Sequence, residues 1–124
     1  MEPVNILLVE DDVFLSQLLK TRMEREGFVV SAFMNGDGVL AELNKKKFDL
    51  ILLDVILPQK SGFEIMEEIE KMPAADNVPV IIISNLGQEA DIKRGKDLGA
   101  IGYYIKSKTP LDELIKKVKS SFQT

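Results

Sequence analysis

The sequence predicts an α/β fold, a parallel sheet of five strands with helices on both faces. Three observations predict it. Short apolar runs alternate five times with stretches of helical periodicity, without a repeat, a low-complexity tract or a linker. The runs are nearly continuous in Ile, Leu and Val, as in strands buried on both faces. The length of 124 residues, 45% hydrophobic and 29% charged, suits one ordinary globular domain, expected over residues 1–124.

Val4 to Val9 is the first such run. Phe14, Leu15, Leu18, Leu19 and Met23 then recur at helical spacing, and Gly27 is a natural stop just past the helix end. Phe28 to Phe33 reads as the second strand, followed by a weaker helix around Val39, Leu40 and Leu43 that ends in Lys45-Lys46-Lys47. Leu50 to Leu53 is the clearest central strand. Ser61-Gly62-Phe63-Glu64 then has capping-box spacing and opens a helix predicted to bury Phe63, Met66, Ile69 and Met72. Val78 to Ile83, rich in β-branched residues, is the fourth strand. Residues 88–97 make a poorly apolar helix that Gly95 is expected to interrupt. Gly102 to Ile105 is the fifth strand, and Thr109-Pro110-Leu111-Asp112 offers a cap with proline at the first helical position. The last helix is predicted to bury Leu111, Leu114, Ile115, Val118 and Phe122.

Composition narrows the chemistry. With no cysteine there is no disulfide framework or thiolate metal site, and with no histidine there is no Ser-His-Asp or Cys-His catalysis. A net charge of −4 argues against direct nucleic-acid binding, which needs a basic face. No apolar run is long enough to span a bilayer, and Met1-Glu2-Pro3-Val4-Asn5 lacks a basic signal region. A cytoplasmic location without membrane insertion is the expectation. The lysine run at 45–47 and Lys116, Lys117 and Lys119 read as solvated faces.

In parallel α/β sheets functional groups gather where strands end, at the switch in strand order. Strand one ends in Glu10-Asp11-Asp12, strand three in Asp54, strand four in Ser84-Asn85 and strand five in Lys106. Acids crowded at one edge repel one another, and a hard divalent cation with oxygen ligands, Mg2+ above all, resolves the conflict. With a lysine and a hydroxyl added, the set suits phosphoryl transfer. Asp54 would be the nucleophile. Asp11 would bind the metal directly and Glu10 through water, with Asp54 and the backbone carbonyl of Ile56 completing the protein ligands. Lys106 and the Ser84 hydroxyl would stabilise the phosphoryl oxygens, with the Asn85 backbone N–H as a further donor. Asp12 reads more readily as a helix cap than as a ligand.

The ordered set resembles the receiver domain of two-component response regulators over essentially the whole chain. It comprises Ile6-Leu7-Leu8-Val9-Glu10-Asp11-Asp12, Asp49-Leu50-Ile51-Leu52-Leu53-Asp54, Leu57-Pro58 with Gly62, Pro79-Val80-Ile81-Ile82-Ile83-Ser84, and Leu98-Gly99-Ala100 with Tyr103 and Lys106. The resemblance implies a flavodoxin-like, doubly wound sheet of order 2-1-3-4-5 with five flanking helices, in a stand-alone domain like the chemotaxis regulators. It implies Asp54 as phosphoacceptor and a phosphohistidine donor on a partner histidine kinase or phosphotransfer protein. It further implies a switch in which Ser84 moves toward the phosphoryl group and Tyr103 turns inward, changing an output face over residues 88–122 that a downstream protein reads. Static packing is the other reading of Tyr103, while alternation sends Tyr104 to the opposite face of the sheet.

The chain departs from the family pattern at three places. Ser107 stands where a proline usually follows the lysine through a cis bond. That geometry costs about 2.5–4 kcal/mol before serine against about 0.5–1 before proline, so a trans bond is expected. Asn85 replaces a small residue, so its amide would narrow access to Asp54 or bond a phosphoryl oxygen. Ile56 and Leu86 replace polar groups that help orient hydrolytic water, which implies a long-lived phosphoryl-aspartate. Two enzyme or carrier readings fit less well. A haloacid-dehalogenase-type phosphohydrolase needs a second acid where Ile56 stands, and a flavin carrier needs a phosphate loop where Glu10-Asp11-Asp12 would repel the phosphate. A receiver-like interaction module that is never phosphorylated is the remaining alternative. No DNA-binding or enzymatic output segment is read in the sequence, so signalling is expected to pass through protein contacts.

Overall fold

The computed structural model describes residues 3–75 and 77–122; Met1 and Glu2, read above for a leader, lie outside them. Elements alternate in chain order as β1 (Asn5–Val9), α1 (Val13–Arg25), β2 (Val29–Phe33), α2 (Val39–Lys45), β3 (Leu50–Leu53), α3 (Gly62–Glu70), β4 (Val80–Ser84), α4 (Glu89–Asp97), β5 (Gly102–Ile105) and α5 (Leu111–Ser120). The strands form one parallel sheet of order β2-β1-β3-β4-β5, the doubly wound order expected. β1 lies between β2 and β3, so the order reverses there. Val9 stands beside Leu53, which brings the ends of β1 and β3 together.

Strand pleating sorts the apolar side chains into two layers. Leu7, Val9, Ile51, Leu53 and Ile82 face α2 and α3 through Val39, Leu43, Phe63, Ile65 and Met66. Ile6, Leu8, Leu50, Leu52 and Ile83 face α1 and α5 through Leu19, Met23, Leu114, Ile115 and Val118. All four residues of β3 are fully buried, and each such side chain contributes about 1.5–3 kcal/mol of transfer free energy. Tyr103 joins the first layer and Tyr104 the second, as alternation required. Among the described residues no helix is long and apolar enough to cross a membrane.

Local chemistry explains both the agreements and the departures. Asp12 caps α1 by accepting from the Leu15 N–H at 3.1 Å, and Gly27, at φ +94°, turns the chain out of the helix. The sheet-facing stripe of α1 is Leu15, Leu19 and Met23, one i,i+4 row. Phe14 and Leu18 belong to the neighbouring row and stay exposed, Phe14 by 85%. Gly95 does not interrupt α4. It is the buried residue of that helix, because a Cβ there would lie 2.7 Å from Ile82 Cδ1 and 2.9 Å from Tyr103 Cδ2. Pro110 sits at the N-cap of α5 rather than at the first helical position, and no side chain caps that end. Met72 falls beyond the end of α3 and is half-buried. Every peptide bond among the described residues is trans, that joining Lys106 to Ser107 included.

The start of α3 presses on the loop that follows β3. Gly62 N–H donates to the Val55 carbonyl at 2.8 Å, and a Cβ on Gly62 would clash with the Asp54 carbonyl oxygen and stand 2.8 Å from Val55 Cα. Gly62→Ala is therefore predicted to cost about 1–3 kcal/mol in urea unfolding, since backbone cannot move aside as a side chain can. An unchanged midpoint would contradict this packing.

Candidate functional site

The sheet's hydrogen-bond ladder continues past the strand ends and fixes the acids there. Glu10 N–H donates to the Phe33 carbonyl at 3.0 Å and Asp54 N–H to the Val9 carbonyl at 2.9 Å. Both side chains are almost fully enclosed, Glu10 at 0% and Asp54 at 2% relative exposure, whereas Asp11 is exposed. One carboxylate oxygen from each of Glu10, Asp11 and Asp54 lies within 4.8 Å of the others. The sequence-predicted acids therefore meet. Asp12 does not join them, because its carboxylate is spent on the α1 cap and its N–H donates to Glu10 Oε2 at 3.0 Å.

Lys106 closes the cluster. It begins a short 3₁₀ turn over Lys106–Lys108, directly after β5. Its ammonium lies 2.7 Å from Asp54 Oδ2 and 2.6 Å from Glu10 Oε1. Burial alone would lower the lysine pKa, but the bonds from Asp54 and Glu10 outweigh it and hold the group above its usual value. Glu10 is pushed up to about 7, chiefly by burial and further by Asp54, against the opposing pull of Lys106 and the Asp12 N–H. The buried Glu10 Oε1 is paired with Lys106 by charge and receives no hydrogen bond from any other described group.

The residues fit a hard divalent cation. The donors are all carboxylate oxygens, two of the acids buried beside a single ammonium, and Asp11 leaves the cluster open to water. Three carboxylates against one ammonium leave negative charge in excess even with Glu10 partly protonated, and a divalent cation would offset it. Asp54 Oδ1 also accepts from the Ile56 N–H at 3.1 Å, which sets the carboxylate's rotation. The Ile56 side chain points outward and is 52% exposed.

On the β4 side the Ser84 side chain is fully buried, and its Oγ accepts from the Leu86 N–H at 3.2 Å. The Leu86 carbonyl in turn accepts from the Tyr103 hydroxyl at 2.6 Å. Burial, with Asp91 nearby, raises the Tyr103 pKa, so the phenol remains a donor. The backbone N–H and C=O of one residue, Leu86, therefore link the two residues named as switch candidates. Sequence reasoning named Leu86 only for its side chain; its backbone role has no sequence signal, since any residue carries the same N–H and C=O. Asn85 uses its side-chain Oδ1 to accept from the Ser107 N–H at 3.1 Å.

Comparison with known proteins agrees with this geometry. The family model for the response regulator receiver domain matches residues 6–119. The chain is 34% identical over 116 residues to the probable transcriptional regulator ycf29 of Porphyra purpurea, covering 94% of this chain and 55% of that protein. It is 36% identical over 116 residues to the phosphate regulon transcriptional regulatory protein PhoB of Rhizobium meliloti, covering 93% and 50%. The chain thus spans about half the length of these curated relatives. Among solved structures, the receiver domain of the Francisella response regulator 1452 superposes with a TM-score of 0.85 at 28% identity, covering 96% of this chain and 95% of that one. With its sheet order, its acidic cluster and a family match over nearly its whole length, the chain belongs to the response regulator receiver domains of two-component signalling.

Proposed function

We propose that residues 1–124 form one receiver domain that takes a phosphoryl group from a phosphohistidine of a partner kinase or phosphotransfer protein onto Asp54. The observation that carries this reading is the enclosed Asp54 carboxylate. It is oriented by the Ile56 N–H and Lys106, beside two further acids and with negative charge in excess. A carboxylate oxygen of Asp54 attacks phosphorus. The donor's P–N bond breaks as the P–O bond forms, and the departing imidazole takes a proton from solvent. Lys106, already charged, neutralises a phosphoryl oxygen without moving a proton, and the Ser84 hydroxyl and Asn85 backbone N–H supply donors to the others. Glu10, Asp11, Asp54 and the Ile56 carbonyl would hold magnesium. When bound, it would screen carboxylate from phosphate and orient the transferring group. The chain assists its own phosphoryl transfer and slow dephosphorylation and is not otherwise an enzyme.

The readout follows from the two backbone groups of Leu86. If Ser84 turns its hydroxyl to the phosphoryl group, it gives up the Leu86 N–H, and the loop that also holds the Tyr103 hydroxyl is freed to move. Helix α4 meets the sheet where glycine permits close approach and buries only Gly95, so its hold is slight. A downstream protein would read the face over residues 88–122, and the setting is cytoplasmic, without direct contact to nucleic acid or membrane.

Magnesium-dependent labelling by acetyl phosphate tests the reading by mass spectrometry. One phosphoryl adduct is expected on the wild type and none on Asp54→Asn, while absence of label on the wild type would favour an unphosphorylated interaction module. The lifetime of the adduct depends on the mouth of the site. The aliphatic Ile56 and Leu86 offer no group to orient a hydrolytic water. An Ile56→Asn, Leu86→Glu double variant is expected to dephosphorylate roughly tenfold faster, since positioning a water is worth at least that much. No acceleration in a phosphate-release assay would count against this role.

A further inference from the structure

Two of the residues that depart from the family pattern around the cleft, Asn85 and Ser107, touch each other. Asn85 directly follows Ser84 at the end of β4, and Ser107 directly follows Lys106 beyond β5. The bond between them runs from the Ser107 backbone N–H to the Asn85 side-chain Oδ1 at 3.1 Å. A proline at position 107 has no N–H to give, and a small residue at position 85 has no carboxamide to receive it. Each departure from the usual pattern therefore makes sense of the other.

We propose that Asn85 is a positioning residue whose carboxamide ties the Ser84 segment to the Lys106 segment and so fixes the spacing of the two groups that receive phosphoryl oxygens. The inference rests on the proposed phosphoacceptor reading and adds a device to it. β4 and β5 pair only as far as Ser84 and Ile105, so beyond them the two segments leave the ladder. The Asn85–Ser107 bond spans them one residue past the end of β4 and two past the end of β5. It restrains the Lys106 backbone while the Lys106 ammonium is held by Asp54 and Glu10. With its oxygen engaged, the Asn85 side chain is directed toward Ser107. This disfavours the sequence expectation that its amide bonds a phosphoryl oxygen, while its backbone N–H remains available to one.

Beryllofluoride affinity of the full chain with saturating magnesium, measured calorimetrically, tests the clasp, alongside magnesium affinity measured alone. Asn85→Ala and Ser107→Pro are each expected to weaken beryllofluoride binding about three- to tenfold, the net worth of one hydrogen bond. Magnesium affinity should stay unchanged in both, because neither residue touches the acidic cluster. Ser107→Ala retains the N–H and should bind as the wild type does. The Asn85→Ala, Ser107→Pro double variant should be no weaker than the weaker single. As a check independent of affinity, Ser107 amide exchange should quicken by a similar factor in Asn85→Ala and stay slow in Asn85→Asp, which keeps the acceptor. Wild-type affinity in Asn85→Ala, additive losses in the double variant, or unchanged Ser107 exchange in Asn85→Ala would each overturn the clasp while leaving the phosphoacceptor reading intact. Failure of the wild type to bind beryllofluoride would overturn both.

Discussion

Two nearly inaccessible carboxylates, Glu10 and Asp54, share a single ammonium, that of Lys106, and the rest of the site is organised around this arrangement. Removing an ionised carboxylate from water costs several kcal/mol even after the protein relaxes. One lysine offsets part of that for two acids, and a third acid, Asp11, stands close by. The cluster is therefore built with too few positive charges. A protein that needed only stability would fill such a position with apolar side chains, as the neighbouring strand residues do. The remaining negative charge has a purpose if a cation and then a phosphoryl group are to enter.

The sheet makes this arrangement possible. Strand ends are rigid because their backbone bonds continue to the last residue. The Phe33 and Val9 carbonyls hold Glu10 and Asp54 one step beyond β1 and β3. The same parallel topology brings Lys106 from near the opposite end of the chain to the same edge. On the other side Ser84, the Leu86 backbone and Tyr103 form a chain of two hydrogen bonds. The proposed roles divide accordingly, capture at the acidic strand ends and readout through the β4–α4 loop.

Much of this was legible in the residues. Continuous apolar runs located the five strands to within one or two residues, and strand-end acids at Glu10, Asp11 and Asp54 located the site. Such features are local, or follow from a parallel sheet having all its strand ends on one edge. What could not be read depends on tertiary fit. Gly95 looked like a helix breaker because helix propensity counts only local cost, whereas its value lies in the room it leaves for Ile82 and Tyr103. Phe14 counted as part of the helical repeat, although only the adjacent row of α1 meets the sheet. Asn85 and Ser107 were each visible as departures, but a hydrogen bond across 22 residues of sequence has no signature in either residue alone.

Magnesium affinity, measured by calorimetry on the wild type and on Asp11→Asn, Asp54→Asn and Glu10→Gln, tests the charge deficit most directly. One ion per chain is predicted, with binding weakened about tenfold or more by each substitution, since each removes an anionic oxygen donor from a partly buried cluster. Equal affinity in all four proteins, or no binding to the wild type, would contradict the claim that these acids are gathered to hold a cation.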